Sequence, residues 1–585
     1  MVNERVVLLC LLLVGGCQNT PASQTRADAS APTSPSPDAG SDSLDMSSPV
    51  LTPLDAGVST GRNPDAGSDL LDLSPPPSTP PQLLLNGEAH YPRVIRLKSG
   101  AAAGTIVASV VAPQASGNRG GTILVSHDEG VSFAVAGHID DARAASGVCC
   151  ATLYEVPRAV GSLAAGTLLW AGSFGKDVQS QPMSIFVWSS VDVGRSWTFL
   201  GTVYTATVPR GTHTGLWEPE FAMLADGTLV CHYSDETDPA HSQKLVEARS
   251  SDGVSWGSYT NTVALTATGA RPGMANVRQL PNGTYLMSYE LCGVTSDGCA
   301  AHLRFSSDGW NWGDANDPGL QPTTVDGMYF AHAPTVVFSD RPGANGRWYL
   351  VGQMVYDSAG NPAPENGSVL FSNSESGTHN WYEVAAPVPV AVPAVTATMP
   401  YNACPNYSSS ILPLGNGQLS LELATRYEGT SCHAYFARAS LLGTGDASGV
   451  VNGDRKRLVN VMSGLCLDAS AGSGAIQQAT CNGTPAQSWS FVTATNGNFA
   501  LKAQSSGQCL SGANPTSGAV TQGACDGSAA QSWTLYNVGI GSYELTHAGT
   551  SACLDDSNGS TASGNAMQLW SCNDLSPQIW HFESP

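Results

Sequence analysis

Charge is scarce in this chain: only 12% of its 585 residues are charged, and just 25 are Lys or Arg against 47 Asp or Glu, for a formal net charge of −22. So few basic residues exclude nucleic acid as a partner, because binding a phosphate backbone needs basic patches. The twelve histidines lack metal-ligand spacing of the H-E-x-x-H kind, so no metal site and no cofactor is expected. Beyond the first residues there is no apolar run long enough to cross a bilayer. What is plentiful is Gly (63) and Pro (37), a balance that suits turn-rich β structure better than helical bundles. The length exceeds what one hydrophobic core organises, so two or more domains are expected.

The N-terminus reads as an address. A short polar start, Met1 to Arg5, precedes the apolar run Val6 to Gly15 and then Gly16 and Cys17, the layout of a secretory signal. The segment Leu13 to Cys17 resembles a bacterial lipobox, which implies a signal peptide over 1–17 and a lipid on Cys17. Gln18 follows, not the Asp that would suggest retention at the inner membrane. The resemblance therefore implies an exported lipoprotein of the outer membrane or cell surface, held to the membrane by its lipid alone. Residues 18–81 are rich in Ser, Pro, Asp and Ala, with Pro-Asp-Ala-Gly-Ser-Asp starting at Pro37 and again at Pro64. Such a composition buries too little apolar surface to offset its ordering entropy, so a disordered spacer is expected.

Internal repeats organise the middle. Ser126–Phe133 and Ser190–Trp197 share the pattern Ser-x-Asp-x-Gly-x-x-aromatic; copies one residue shorter occur at Ser250–Trp256 and Ser306–Trp312, and a degenerate one ends at Trp381. Asp with Gly makes a tight turn, and the aromatic pins the next strand. These repeats resemble the Asp-boxes of sialidase-type propellers and are expected to be structural turns. Their starts lie 64, 60 and 56 residues apart, one four-stranded blade each. Runs such as Gly227–Tyr233 and Gly283–Tyr289 supply the strands. The expectation is an all-β chain with a six-bladed propeller over 82–445. Cys292 with Cys299, and Cys404 with Cys432, are candidate bridges in an exported protein.

The tail repeats three times at roughly 45-residue spacing. Cys466-Leu467-Asp468 precedes Gln487-Ser488-Trp489, Cys509-Leu510 precedes Gln531-Ser532-Trp533, and Cys553-Leu554-Asp555 precedes Gln578-Ile579-Trp580. Each copy has a second cysteine: Cys481, Cys525 and Cys572. The pattern resembles the ricin-B-type β-trefoil over 455–585. That resemblance implies tryptophans in a shared core, one disulfide per repeat and a glycan ligand. The third repeat keeps Asp555, Gln568 and Trp570 as a sugar site, although Pro577 stands where a sugar-bonding Asn often lies. The first keeps Asp468 but has Ala479 at the stacking position; the second has Ser511 in place of the Asp.

Two segments of the middle carry candidate chemistry. Gly215–Phe221 places Trp217, Glu218 and Glu220 at a strand start, the two carboxylates two residues apart and so expected on one face. Arg271–Arg278 leads into a strand ending at Glu290. Adjacent blades would bring Glu218, or Glu220 in its stead, towards Glu290 in an axial pocket. Two facing carboxylates are what glycoside hydrolysis requires, one protonating the leaving group and one attacking the sugar or activating water. Together with Tyr91–Leu97 and Asn406-Tyr407-Ser408, these segments resemble glycoside hydrolase family 93. The resemblance implies a retaining exo-α-L-arabinanase acting on polysaccharide ends, with Glu218 as acid/base, Glu290 as nucleophile and carboxyl groups about 5–5.5 Å apart. Arg93, Trp217, Arg271, Tyr329, His332 and Tyr407 are candidates for substrate binding. A sialidase would need an arginine cluster for its substrate's carboxylate, for which Arg93, Arg271 and Arg426 are available, but Tyr91-Pro92-Arg93-Val94 departs from the sialidase motif. A surface glycan-binding protein without catalysis is the third reading.

Overall fold

The computed structural model describes residues 79–585, apart from 212–213, 295–297, 340–345, 375–376, 379, 393–402, 415–418, 442–449, 471–473, 495–496 and 513–517. The signal segment with Cys17 and nearly all of the spacer lie outside the described residues. No described helix is long and apolar enough to cross a membrane.

Six antiparallel sheets follow one another around an axis. Their inner strands are His90–Arg96, Val148–Glu155, Leu216–Met223, Arg271–Gln279, Thr335–Ser339 and Ser410–Leu414, which we call blades 1 to 6. Blade 6 takes its outermost strand from the start of the domain: Gln82 and Leu83 pair with Phe436 and Tyr435. This closes the ring with backbone hydrogen bonds and covers part of the outer edge of the Ser431–Ser440 strand. The second strands are buried almost throughout, for instance Ile106–Pro113 and Leu168–Phe174, because each blade is sandwiched between two others.

The Ser-x-Asp repeats sit where the third strand of blades 1 to 4 ends. In the first, Ser126 donates to Asp128 Oδ1 at 2.7 Å, and Gly130 N and Ser132 N donate to Ser126 Oγ (2.9 Å) and Asp128 Oδ1 (3.0 Å). The copies at Ser190, Ser250 and Ser306 repeat this net. In the degenerate copy the side-chain Oδ1 of Asn373 accepts from Gly377 N at 2.8 Å. All are spent on turn geometry.

Residues 455–583 form a twelve-stranded trefoil. Its three-fold repetition is explicit in the core. Trp489, Trp533 and Trp580 are fully buried, and their indole N–H groups donate to the carbonyls of Leu467, Leu510 and Leu554 at 3.0, 3.2 and 3.2 Å. Disulfides join Cys466–Cys481, Cys509–Cys525 and Cys553–Cys572. The trefoil is docked on blade 5: Tyr382 packs with Val461, Val538 and Ile579, and Ile540 N donates to Glu383 O at 2.5 Å.

Candidate active site

The inner strands share one irregularity. In blades 1 to 4 the pairing with the second strand slips by one residue, between His90 and Arg93, Cys149 and Thr152, Trp217 and Glu220, and Gly273 and Asn276. The extra residue has positive φ in each: Tyr91 (48°), Cys150 (60°), Glu218 (52°) and Met274 (60°). Ala333 (46°) and Ser408 (56°) take the same conformation just before the inner strands of blades 5 and 6. Non-glycine residues held there cost about 1–3 kcal/mol each and persist only where surroundings dictate them. A bulge of this kind re-aims a side chain, here towards the axis.

The bulges at Tyr91, Cys150 and Glu218 wall a cavity of about 680 Å³, lined also by Cys149, Trp217, Glu290 and Tyr407 among others. Glu218 Oε2 accepts from Ser234 Oγ at 2.6 Å and from Met274 N at 3.4 Å. Glu290 Oε2 accepts from Ala333 N at 2.8 Å and faces His332 Nδ1 at 3.9 Å. The supports of the two carboxylates meet over Gly273. A Cβ added there would lie 3.5 Å from Ser234 Oγ, 3.6 Å from Glu290 Oε1 and only 2.6 Å from Gln243 Nε2. Gly215 likewise clears the space of the Trp217 indole, 2.2 Å from where its Cβ would stand.

Burial pushes the Glu218 carboxyl up to about 7; the neighbouring Glu290 adds to the rise, against the Ser234 hydrogen bond that lowers it. Although Glu218 is only half-buried as a residue, its carboxyl group is enclosed by protein. Tyr91 and Tyr407 meet edge to face, 5.6 Å between centroids. Burial and both glutamates push their phenols far up, so they stay neutral hydroxyls.

Glu220 is placed differently from the expectation of one shared face. The inserted residue breaks the two-residue alternation, so Glu218 and Glu220 have separate surroundings. Glu220 accepts from Thr152 Oγ1 at 2.8 Å, from Asn276 Nδ2 at 3.0 Å and from Arg278. It knits blades 2, 3 and 4 together and does not line the cavity. The net continues as Val336 N donates to Asn276 Oδ1 (3.0 Å), Thr335 Oγ1 to Ser409 O, Arg93 to Ser408 O (3.0 Å) and Val94 N to Ser410 Oγ (3.2 Å). Polar residues thus link the blades around the axis beneath the cavity.

Of the other candidates, Trp217, Arg271 and Tyr407 line the cavity, while Arg93 and Tyr329 do not. Arg93 is spent on the carbonyls of Pro92 and Ser408. Tyr329 stacks on Tyr356, 5.6 Å between centroids. His332 reaches the site through Glu290. Arg271 is held by Glu236, Gln243 and Ser242, and Arg426 lies over the Tyr435 ring. The three arginines do not converge. Cys149 and Cys150 are joined to each other, a wall element the sequence did not disclose; Cys292–Cys299 and Cys404–Cys432 are also bridged.

On the trefoil, Asp555 accepts from Gln568 Nε2 (2.7 Å) and Gln578 Nε2 (3.0 Å), and Trp570 is 52% exposed beside them. Asp468 has its counterpart bond from Gln487 at 3.0 Å, but its other oxygen is taken by Ser470 N at 2.7 Å.

The ricin-type beta-trefoil lectin domain model matches residues 454–580. No curated protein matches the chain significantly. Among solved structures, the Penicillium chrysogenum α-L-arabinanase complexed with arabinobiose is 23% identical, with a TM-score of 0.53; the match covers 63% of this chain and 99% of that one. The family 93 α-L-arabinofuranosidase of Fusarium graminearum, complexed with arabinobiose, is 22% identical, with a TM-score of 0.51, covering 62% of this chain and 98% of that one. The likeness is one of fold: the propeller shares the six-bladed architecture of these proteins, and a lectin-type trefoil follows it.

Proposed function

We propose that this protein is a glycoside hydrolase, a retaining exo-α-L-arabinanase that releases short arabinose oligomers from polysaccharide ends. The observation that carries the reading is the pair Glu218 and Glu290 in one cavity, with the Glu218 carboxyl pushed up to about 7 by burial. A carboxylic acid that keeps its proton near neutrality suits protonation of the leaving oxygen. Glu290 lines the same cavity and is fixed through Oε2 by the Ala333 N–H, which suits a positioned nucleophile. The fold shared with proteins solved holding arabinobiose favours arabinan over other polymers. Product analysis on debranched arabinan, beside sialyllactose, tests this: short arabinose oligomers support it, whereas sialic acid alone would transfer the protein to the sialidases. No product from either, with glycan binding intact, would favour the non-catalytic reading.

In the same proposal the trefoil holds the enzyme on its polymer and raises the local substrate concentration. Trp570→Ala should weaken retention on insoluble polysaccharide by about tenfold, in line with the loss of one stacking ring, and leave turnover of short substrates unchanged. Parallel losses on both would remove that role. Deleting residues 455–585 is a poorer test, since it would bare the blade 5 face packed by Val461, Val538 and Ile579.

Export and lipid anchoring rest on the lipobox-like Leu13–Cys17 segment. Cys17→Ser should abolish fatty-acid labelling and release the protein from the membrane fraction; unchanged membrane retention would sink the anchor.

A further inference from the structure

We propose that the Cys149–Cys150 disulfide is a binding plate for the apolar face of a sugar ring, and that cutting it weakens substrate binding; the inference rests on the glycosidase reading above. Both cysteines line the cavity that holds Glu218 and Glu290, and both are buried. Cys150 occupies in blade 2 the bulge position that Tyr91 fills in blade 1 and Glu218 in blade 3. Five other residues, three of them at bulges, hold the same positive φ without a crosslink, so the disulfide is not what that backbone conformation requires. What it adds is a surface. Joined neighbours form a small ring whose side chains no longer rotate, presenting two polarisable sulfurs with little further entropy to lose on contact. Val148, Trp170 and Phe174 pack with it in one apolar cluster, and Trp217 and Tyr407 pack against that cluster. A furanose or pyranose ring has one face of C–H groups, and such a face needs a flat apolar partner beside the polar groups that fix its orientation. Around this cavity Trp217, Tyr407 and the disulfide offer those partners.

Reduction splits the S–S bond with two electrons and two protons to give two thiols, while an added dithiol is oxidised to its own cyclic disulfide. The freed side chains then rotate and the plate is lost. The test compares the parent with Cys149→Ser/Cys150→Ser on arabino-oligosaccharides, with thermal midpoints measured alongside. The expected result is KM raised about tenfold with kcat nearly unchanged, the signature of a lost apolar contact. In a second arm the folded parent is treated briefly with dithiothreitol, and peptide mapping selects conditions that open Cys149–Cys150; its KM should rise to that of the variant, and the variant's should not move. Unchanged KM in both arms, with only the thermal midpoint lowered, would reduce the disulfide to a brace and overturn the proposal. A parent that turns over no arabino-oligosaccharide would instead overturn the glycosidase reading and this ligand with it.

Discussion

Glu290→Gln should leave a folded protein whose kcat on arabinan ends is lower by a factor on the order of 10²–10⁴, the range typical of losing one positioned acid, base or nucleophile. Glutamine can still accept the Ala333 N–H, which holds Glu290 Oε2 at 2.8 Å, so the side chain stays in place while its nucleophilicity goes. Glu218→Gln should cost a similar factor by removing the proton donor and yet keep the Ser234 contact of 2.6 Å. A substrate with a good leaving group separates the two roles. It needs no proton from the enzyme to depart, so it should rescue the first step in Glu218→Gln and not in Glu290→Gln. The reverse pattern would exchange the assignments. The pH profile gives an independent reading. With the Glu218 carboxyl pushed up to about 7 by burial, the acid loses its proton as pH rises through that value, and kcat/KM should fall there. That limb should vanish in Glu218→Gln. A limb that persists in the variant would mean that another group carries the proton.

The propeller and trefoil were legible because both are built on repeats with marked turn residues. Asp128, Asp192, Asp252 and Asp308 fix the blades by local chemistry, and the three buried tryptophans with their disulfides fix the trefoil. The carboxylate pair was legible too, because Glu218 and Glu290 sit at strand ends of successive blades. The positive-φ residues on or just before the six inner strands were not. Tyr91-Pro92-Arg93, Cys150-Ala151-Thr152, Glu218-Pro219-Glu220, Met274-Ala275-Asn276, Ala333-Pro334-Thr335 and Ser408-Ser409-Ser410 share a positive-φ residue, then Pro, Ala or Ser, then a polar or charged residue. No residue type at the first position favours positive φ as Gly does, so the pattern emerges only once the backbone is seen. That omission misplaced Glu220, since strict alternation put it on the Glu218 face. The docking of the trefoil on blade 5 was equally hidden, because Tyr382 and Val538 carry no local sign of a distant partner.

The second large effect follows from that inter-blade net. Glu220→Ala should destabilise the propeller by about 3 kcal/mol, the scale of leaving buried donors without their acceptor; Arg278, a third exposed, keeps access to water. Thr152, Asn276 and Arg278 would all lose an acceptor at once, and Arg93 a nearby countercharge. Thermal denaturation checks this, and the contrast with Glu218 sharpens it. The Glu218 carboxyl, raised from an ordinary 4.5 to about 7, keeps its proton in the folded protein where the unfolded chain has lost it. Folding stability from this group is therefore full below about 4.5 and declines as pH rises towards 7. Replacing Glu218 by Gln should thus cost no stability above neutrality and can raise the thermal midpoint, while activity collapses. Glu220→Ala should do the opposite, lowering the midpoint by several degrees while the fraction that stays folded keeps measurable turnover. If Glu220→Ala instead abolished kcat at an unchanged midpoint, the acid would belong to Glu220 and the division of labour between the two glutamates would have to be reversed.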